Sequence, residues 1–178
     1  RGLGDVYKRQ ELSSATNKIA EGELMQLENK NNLNTSLQQL KKISYYKTGR
    51  LFEASAKSAA VLSGKSIPFI ENISKAAKLI GIAFQVRDDL LDYGVSKGNI
   101  GKPEMQDILE DKITYPLYFA LKYSNKKDSS KILKKLKNKD FSIEEVADFV
   151  SSSNAFNKCN SLIPVSYTHL RAHETDLN

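Results

Sequence analysis

Three carboxylates fall within one helical turn and a half in "AFQVRDDLLDYG", residues 83–94: Asp88, Asp89 and Asp92. Carboxylates this close repel one another, so something cationic must sit with them. Asp88 and Asp92 are spaced i, i+4 and share a helix face. Their hard oxygens suit Mg²⁺, which binds through one or two carboxylates plus phosphate oxygens. Lysines stand at two other places. "YYKTGRLF" sets Lys47 beside Thr48 inside an otherwise apolar stretch, and "GNIGKP" puts Lys102 on a glycine-rich loop, where backbone can approach a phosphate. Cations next to an acidic metal site are redundant unless an anion lies between them. Together these residues read as a polyphosphate held by Mg²⁺ and ammonium groups. A structural ion-pair cluster, or a helix end opening into solvent, is the other reading of the aspartates. Each lysine alone reads as solvated surface.

The elements that would position these residues are helices. No period-two alternation is sustained between Glu11 and Pro164, and the turn signals are closely spaced. A first helix is expected from about Glu11 to Glu28, ending in "NKNNLNTS". A second runs from about Leu37 to Leu62 and stops at Gly64. Pro68 opens a third that reaches about Tyr93. A fourth starts near Glu104 and is kinked or restarted by Pro116; a weaker one begins near Ser142. There is no internal repeat. At roughly 100° per residue, Gly81, Gln85, Asp88 and Asp92 fall on one stripe, with Asp89 at its edge. Apolar residues fill nearly all the rest of the circle, broken only by Arg87. An ordinary surface helix gives about half its circumference to water. This one predicts a central helix whose carboxylate stripe faces an interior cavity.

The composition is that of a globular protein, 40% hydrophobic and 27% charged over 178 residues. A single cysteine, Cys159, rules out an intramolecular disulfide and points to a reducing compartment. No apolar run approaches the roughly 18–20 residues that span a bilayer. The most basic stretch, Lys126–Lys139, lacks interleaved aromatics and arginine, so it reads as a solvated helix face and not as a nucleic-acid surface.

The two ends stand apart. Back-translated, "RGLGDVYKRQ" (residues 1–10) gives DNA whose reverse complement, read two bases in, encodes VSYTHLRAH, residues 165–173. It resembles a sequencing adapter with a transposon end. We expect residues 1–10 and 165–178 to be adapter-derived, disordered or arbitrarily placed without contact to the core, and to lie outside the fold, which then occupies residues 11–164. Both histidines, His169 and His173, fall in these flanks, so a histidine triad, ligand or base is set aside. The flanks hold four of 27 basic and three of 21 acidic residues, leaving 23 against 18, a balance of +5.

The stretch from Gly81 to Leu117 resembles the second aspartate-rich region of the trans-isoprenyl diphosphate synthases (polyprenyl synthetases). That pattern is close to G-x-x-F-Q-hydrophobic-x-D-D-hydrophobic-L-D, then G-K, D and K-x-T-x-P-L. Phe84, Gln85, Asp88, Asp89, Leu91, Asp92, Gly101, Lys102, Asp107, Lys112, Thr114, Pro116 and Leu117 match it. Upstream, "AEGELMQL" resembles the family's G-E-x-x-Q-L helix and "KTGRLFEAS" its K-T-A-x-L-F helix. Gly49 stands where alanine is usual and Asp111 where glycine is usual, neither expected to touch the chemistry. The resemblance covers about Ala20–Ala120.

It implies an all-α bundle of the isoprenoid-synthase type, of which this chain would be the C-terminal part, with the N-terminal half missing. The implied reaction is Mg²⁺-dependent head-to-tail condensation of an allylic prenyl diphosphate with isopentenyl diphosphate, releasing diphosphate. Asp88, Asp89 and Asp92 would hold the metal. Lys47, Lys102 and Lys112 would bring positive charge to the diphosphate, Thr48 and Gln85 would orient it, and Glu23 and Gln26 would line the same cavity. Phe84 and the apolar helix faces would guide the prenyl tail. The first aspartate-rich motif and the isopentenyl diphosphate site are absent, so the chain alone is expected to be inactive. The whole enzyme is expected to be a cytoplasmic homodimer with no nucleic-acid partner and no transmembrane segment, touching membranes through its lipid product. A non-catalytic synthase subunit and a terpene-cyclase-like helical protein are the alternatives. The intact Lys47 and Lys102 favour chain elongation.

Overall fold

A computed structural model describes residues 3–94 and 105–163, with side chains from Val6 onward. Among them every regular element is helical. The elements are α1 (Leu3–Glu28), α2 (Leu37–Ser44), a π-helical turn (Tyr45–Gly49), α3 (Arg50–Leu62), α4 (Ile67–Asp92), α5 (Gln106–Leu109), α6 (Tyr115–Tyr123), α7 (Lys126–Asn138), α8 (Ile143–Ser152) and α9 (residues 155–163).

The boundaries have local causes. Ser36 Oγ caps α2 by accepting from Gln39 N at 3.1 Å. After α3, Gly64 takes a left-handed conformation (φ 63°), and Lys65 N reaches back to Ala60 O at 3.1 Å, the bond that closes a Schellman end. Asn125 caps α7 through Asp128 N, and Ser142 caps α8 through Glu145 N. The expected second helix is therefore present from Leu37 to Leu62, with a π turn inside it. The expected fourth helix is reduced to the single turn α5, and Pro116 restarts the chain as α6.

The first helix begins at Leu3, not at Glu11. Extending a formed helix adds one hydrogen bond per residue fixed, which favours propagation into a flank free of proline. In this flank Tyr7 Oη donates to Glu11 Oε1 at 3.2 Å and Lys57 Nζ lies 5.5 Å from the Tyr7 ring centre. The C-terminal flank lies outside the described residues.

The chain divides into two compact units. The first comprises α1 to Met25 and Lys41 to Gln85. Its buried apolar residues are mostly small: Ala15, Ala54, Ala60, Ala76, Ala77 and Ala83, with Ile43. Backbones touch here. A Cβ on Gly81 would lie 2.5 Å from Gly49 Cα, and one on Gly22 would lie 2.8 Å from Lys47 N. Several large side chains of this unit turn outward. Ile67 is 73% exposed and Phe84 58%. The sequence wheel predicts that α4 has no solvent face, and this does not hold in the chain. Helices packed through glycine and alanine leave Ile67 and Phe84 largely uncovered.

The second unit comprises Gln26–Leu40 and Val86–Leu162. Its core is built from larger residues, with Val86, Leu90, Met105, Leu117, Val146, Val150 and Cys159 fully buried. The basic run forms α7, an amphipathic helix that buries Ser129 and Ile132 and pairs Lys135 with Glu145 at 2.6 Å. The rest of its lysine face is solvated, as the sequence indicates.

Candidate active site

In the first unit, Lys47 and Thr48 lie on the π turn. Such a turn adds one residue to the helical ladder and so rotates the downstream helix about its axis relative to the upstream one, a local irregularity often found at functional sites. Thr48 Oγ1 donates to Gln85 Oε1 at 2.9 Å, which joins the turn to α4 across 37 residues of sequence. Lys47 Nζ is 3.3 Å from Glu23 Oε1 on α1, with the lysine side chain largely covered and the glutamate open. Four of the expected residues are thus together: Glu23, Lys47, Thr48 and Gln85. Phe84 is exposed beside them and lies against Phe52, ring centres 5.8 Å apart. Gly49 departs from the family pattern inside this turn, where a Cβ would lie 3.1 Å from both Lys78 O and the Tyr45 ring.

In the second unit, the three aspartates have separate surroundings. Asp88 is exposed. Asp89 is 6% exposed, and its Oδ2 accepts from Tyr115 N at 3.2 Å. Tyr115 opens α6, and the preceding Thr114 makes no side-chain cap, so Asp89 supplies it. Asp92 Oδ1 accepts from Gln106 N at 2.9 Å and its Oδ2 from Asp107 N at 3.3 Å, at the start of α5. Among the described residues no three carboxylates converge as a metal cage. Asp89, expected as a metal ligand, is a buried carboxylate, and the backbone of α6 meets the need of such a group for a hydrogen bond. Spacing alone could not separate Asp88 from Asp89, since a helix wheel places residues around an axis but says nothing of which later helix docks there.

Lys112 Nζ is 2.7 Å from Glu110 Oε2 and 3.4 Å from Asp107 Oδ1. Burial works against its charge, but these acidic partners outweigh it and hold the ammonium above its usual range. Lys102 lies outside the described residues. Gln26 is half-buried near the end of α1. No motif or spacing pointed to Arg50, which is buried and ion-paired to Glu11 at 2.7 Å and to Glu53 at 3.3 Å.

The family profile described as Polyprenyl synthetase matches residues 5–152. An octaprenyl diphosphate synthase of Escherichia coli (strain K12) is 33% identical over 174 residues, covering 97% of this chain and 51% of that protein. An all-trans-nonaprenyl-diphosphate synthase (geranyl-diphosphate specific) of Rhodobacter capsulatus is 33% identical over 159 residues, 89% of this chain and 49% of that one. The solved structure of a polyprenyl synthase from Caulobacter crescentus CB15, complexed with calcium and isoprenyl diphosphate, superposes with a TM-score of 0.81 at 27% identity, over 93% of this chain and 51% of that one. The chain spans about half the length of the curated relatives it matches.

Proposed function

The chain belongs to the polyprenyl synthetase family, and from that premise we propose that it is the diphosphate-binding part of a prenyltransferase that joins an allylic prenyl diphosphate to isopentenyl diphosphate and releases diphosphate. The observation that carries the reading is the Thr48–Gln85 bond at 2.9 Å, which fixes an amide against the turn that carries Lys47. Such a group can hold and orient an oxyanion. Lys47 supplies charge to the leaving diphosphate. Gln85 accepts from Thr48 through Oε1, and a side-chain amide is the kind of group that donates to phosphate oxygen. Phe84 and Phe52 offer an apolar wall to the prenyl chain. Lys102 and Lys112 are assigned to the diphosphate by resemblance.

The donor set fits Mg²⁺ in its usual mode of one or two carboxylates with phosphate oxygens and water. Asp88, exposed, would be the principal ligand, with Asp92 one turn further along α4. When bound, the ion would stabilise negative charge on the departing diphosphate. A cytoplasmic, homodimeric whole enzyme that meets membranes through its lipid product belongs to the same reading. It rests on the resemblance; among the described residues no helix is long and apolar enough to cross a membrane.

The test is made on the chain joined to a matching N-terminal half from a related synthase, tracing labelled isopentenyl diphosphate into longer products. Lys47→Ala and Asp88→Ala should each lower kcat about 100-fold or more, chelator should abolish turnover, and Lys126→Ala should leave it within about twofold. Small, equal effects from all three would sink the assignment. A well-folded chimera without metal-dependent product would favour a non-catalytic subunit.

A further inference from the structure

The π turn that carries Lys47 and Thr48 is closed at both ends by one carboxylate. Tyr45 begins the turn and Arg50 comes directly after it. The Arg50 backbone N–H reaches back to Tyr45 O, the i to i−5 bond that defines a π turn. The side chains of these same two residues meet on a single atom, Glu53 Oε2. Tyr45 Oη donates to it at 2.7 Å and Arg50 Nη1 at 3.3 Å. The guanidinium is held from its other side by Glu11 Oε2 at 2.7 Å and Ser14 Oγ at 3.4 Å on α1. Burial and the bond to Glu53 push the Tyr45 hydroxyl up to about 12, so it remains a donor throughout the neutral range.

We infer that Glu53 is a positioning residue: by binding Tyr45 and Arg50 together it holds the π register that presents Lys47 and Thr48 to a diphosphate. The inference rests on the function proposed above and extends it to a residue with no expected contact to substrate. An α-helical register through the same five residues would advance each subsequent residue by roughly 100°, and π turns are otherwise rare because the ladder prefers i to i−4 bonds. The turn needs support from outside its own backbone. Gly22 and Gly49 supply space for it. Glu53 supplies the bonds between its ends.

The experiment uses the 178-residue chain, labelled for NMR. Amide exchange is read along residues 45–50, and Lys47 and Thr48 resonances are monitored during titration with inorganic diphosphate and magnesium. Glu53→Ala should speed exchange of the Arg50 amide about five- to tenfold, the loss of roughly one hydrogen bond. It should also cut the diphosphate-induced shifts at Lys47 and Thr48. Glu53→Gln, which keeps an acceptor oxygen, should restore both, and Tyr45→Phe should fall between. Lys57→Met breaks a 2.8 Å bond to Glu11 in the same network but touches neither end of the turn, so it should change neither readout. Unchanged Arg50 exchange in Glu53→Ala overturns the clamp. Faster exchange with undiminished diphosphate shifts overturns the positioning role. If the unsubstituted chain shows no shift at Lys47 or Thr48, the functional reading fails, while the exchange arm still decides the clamp on its own.

Discussion

The first unit packs backbone against backbone and the second packs side chain against side chain. In the first, the buried apolar residues are nearly all alanine, and Gly81 meets Gly49 at a distance no Cβ would tolerate. In the second, leucine, valine, methionine and tyrosine interdigitate with almost no exposure. Close helix approach brings the π turn, α1 and α4 near enough for a two-atom hydroxyl to reach an amide, as Thr48 does with Gln85. The consequence is that large side chains such as Leu24, Leu51 and Phe84 have no place inside. The second unit fills its interior, and in it the aspartates are divided between open surface and helix caps.

Truncation should separate the two units most sharply. Leu117 is 0% exposed, so Leu117→Ala removes its burial and leaves a cavity, costing about 2–5 kcal/mol. Leu24→Ala, at 60% exposure, should stay within about 0.5 kcal/mol. Urea unfolding checks both. Comparable losses would mean that Leu24 is covered in solution and that the first unit's outward face has a partner.

The division among the aspartates gives the next largest effect. Asp89→Ala leaves the Tyr115 N–H buried without its acceptor and should cost about 1–3 kcal/mol. Asp89→Asn, which keeps an oxygen, should cost less. Asp88→Ala should be near neutral for stability, because it is exposed, while by the function proposed above it should lower kcat of the completed enzyme about 100-fold or more. If Asp88→Ala destabilises as much as Asp89→Ala, the two carboxylates do not differ in role.

Acid should act on the first unit through Glu11. Burial works to raise its pKa, but hydrogen bonds from Lys57 and Arg50 outweigh that and hold it below the ordinary 4.5. A carboxyl lowered in the folded state contributes stability that is complete above the unfolded value and is lost as pH falls through the folded one. Stability should therefore be flat above about 4.5 and decline below it. Glu11→Gln should remove that part of the decline. Thermal melts across the acid range would show an unaltered slope in Glu11→Gln if the network contributes nothing.

Much of the fold was legible because its boundaries are written in single residues. Gly64, Pro68, Pro116 and Ser142 each act locally, and each marks an element end. The π turn was not legible, because it depends on Glu53 and Arg50 meeting Tyr45 across a turn that α-helical spacing would place elsewhere. Within the site, the pairing of Thr48 with Gln85 agrees with a resemblance in two separate motifs. The surroundings of Asp89 were hidden, since they are decided by the docking of α6. The outward face of Phe84 was hidden for a similar reason: a wheel full of apolar residues shows what a helix could bury, while the glycines and alanines of its neighbours determine what it does bury.

The smallest effect concerns Asp111, where the family pattern has glycine. Its φ is 62°, a left-handed conformation that costs a residue with a Cβ about 1–2 kcal/mol, less for aspartate, whose short polar side chain can bond locally. Two contacts offset the strain. Asn31 N donates to Asp111 O at 2.9 Å, and Lys139 Nζ lies 2.7 Å from Oδ2. The first is a backbone bond and survives any substitution. The second is a solvated ion pair worth about 0.2–1 kcal/mol. Asp111→Gly loses the ion pair and some unfolded-state stiffness but relieves the backbone, so its net change should lie within about 0.5 kcal/mol of zero. Asp111→Ala loses the ion pair and keeps the strain, so it should be the less stable of the two by roughly 0.5–1 kcal/mol. Denaturation of the two variants side by side measures the difference. If alanine equals or exceeds glycine, the left-handed backbone is not what the usual glycine serves at this position.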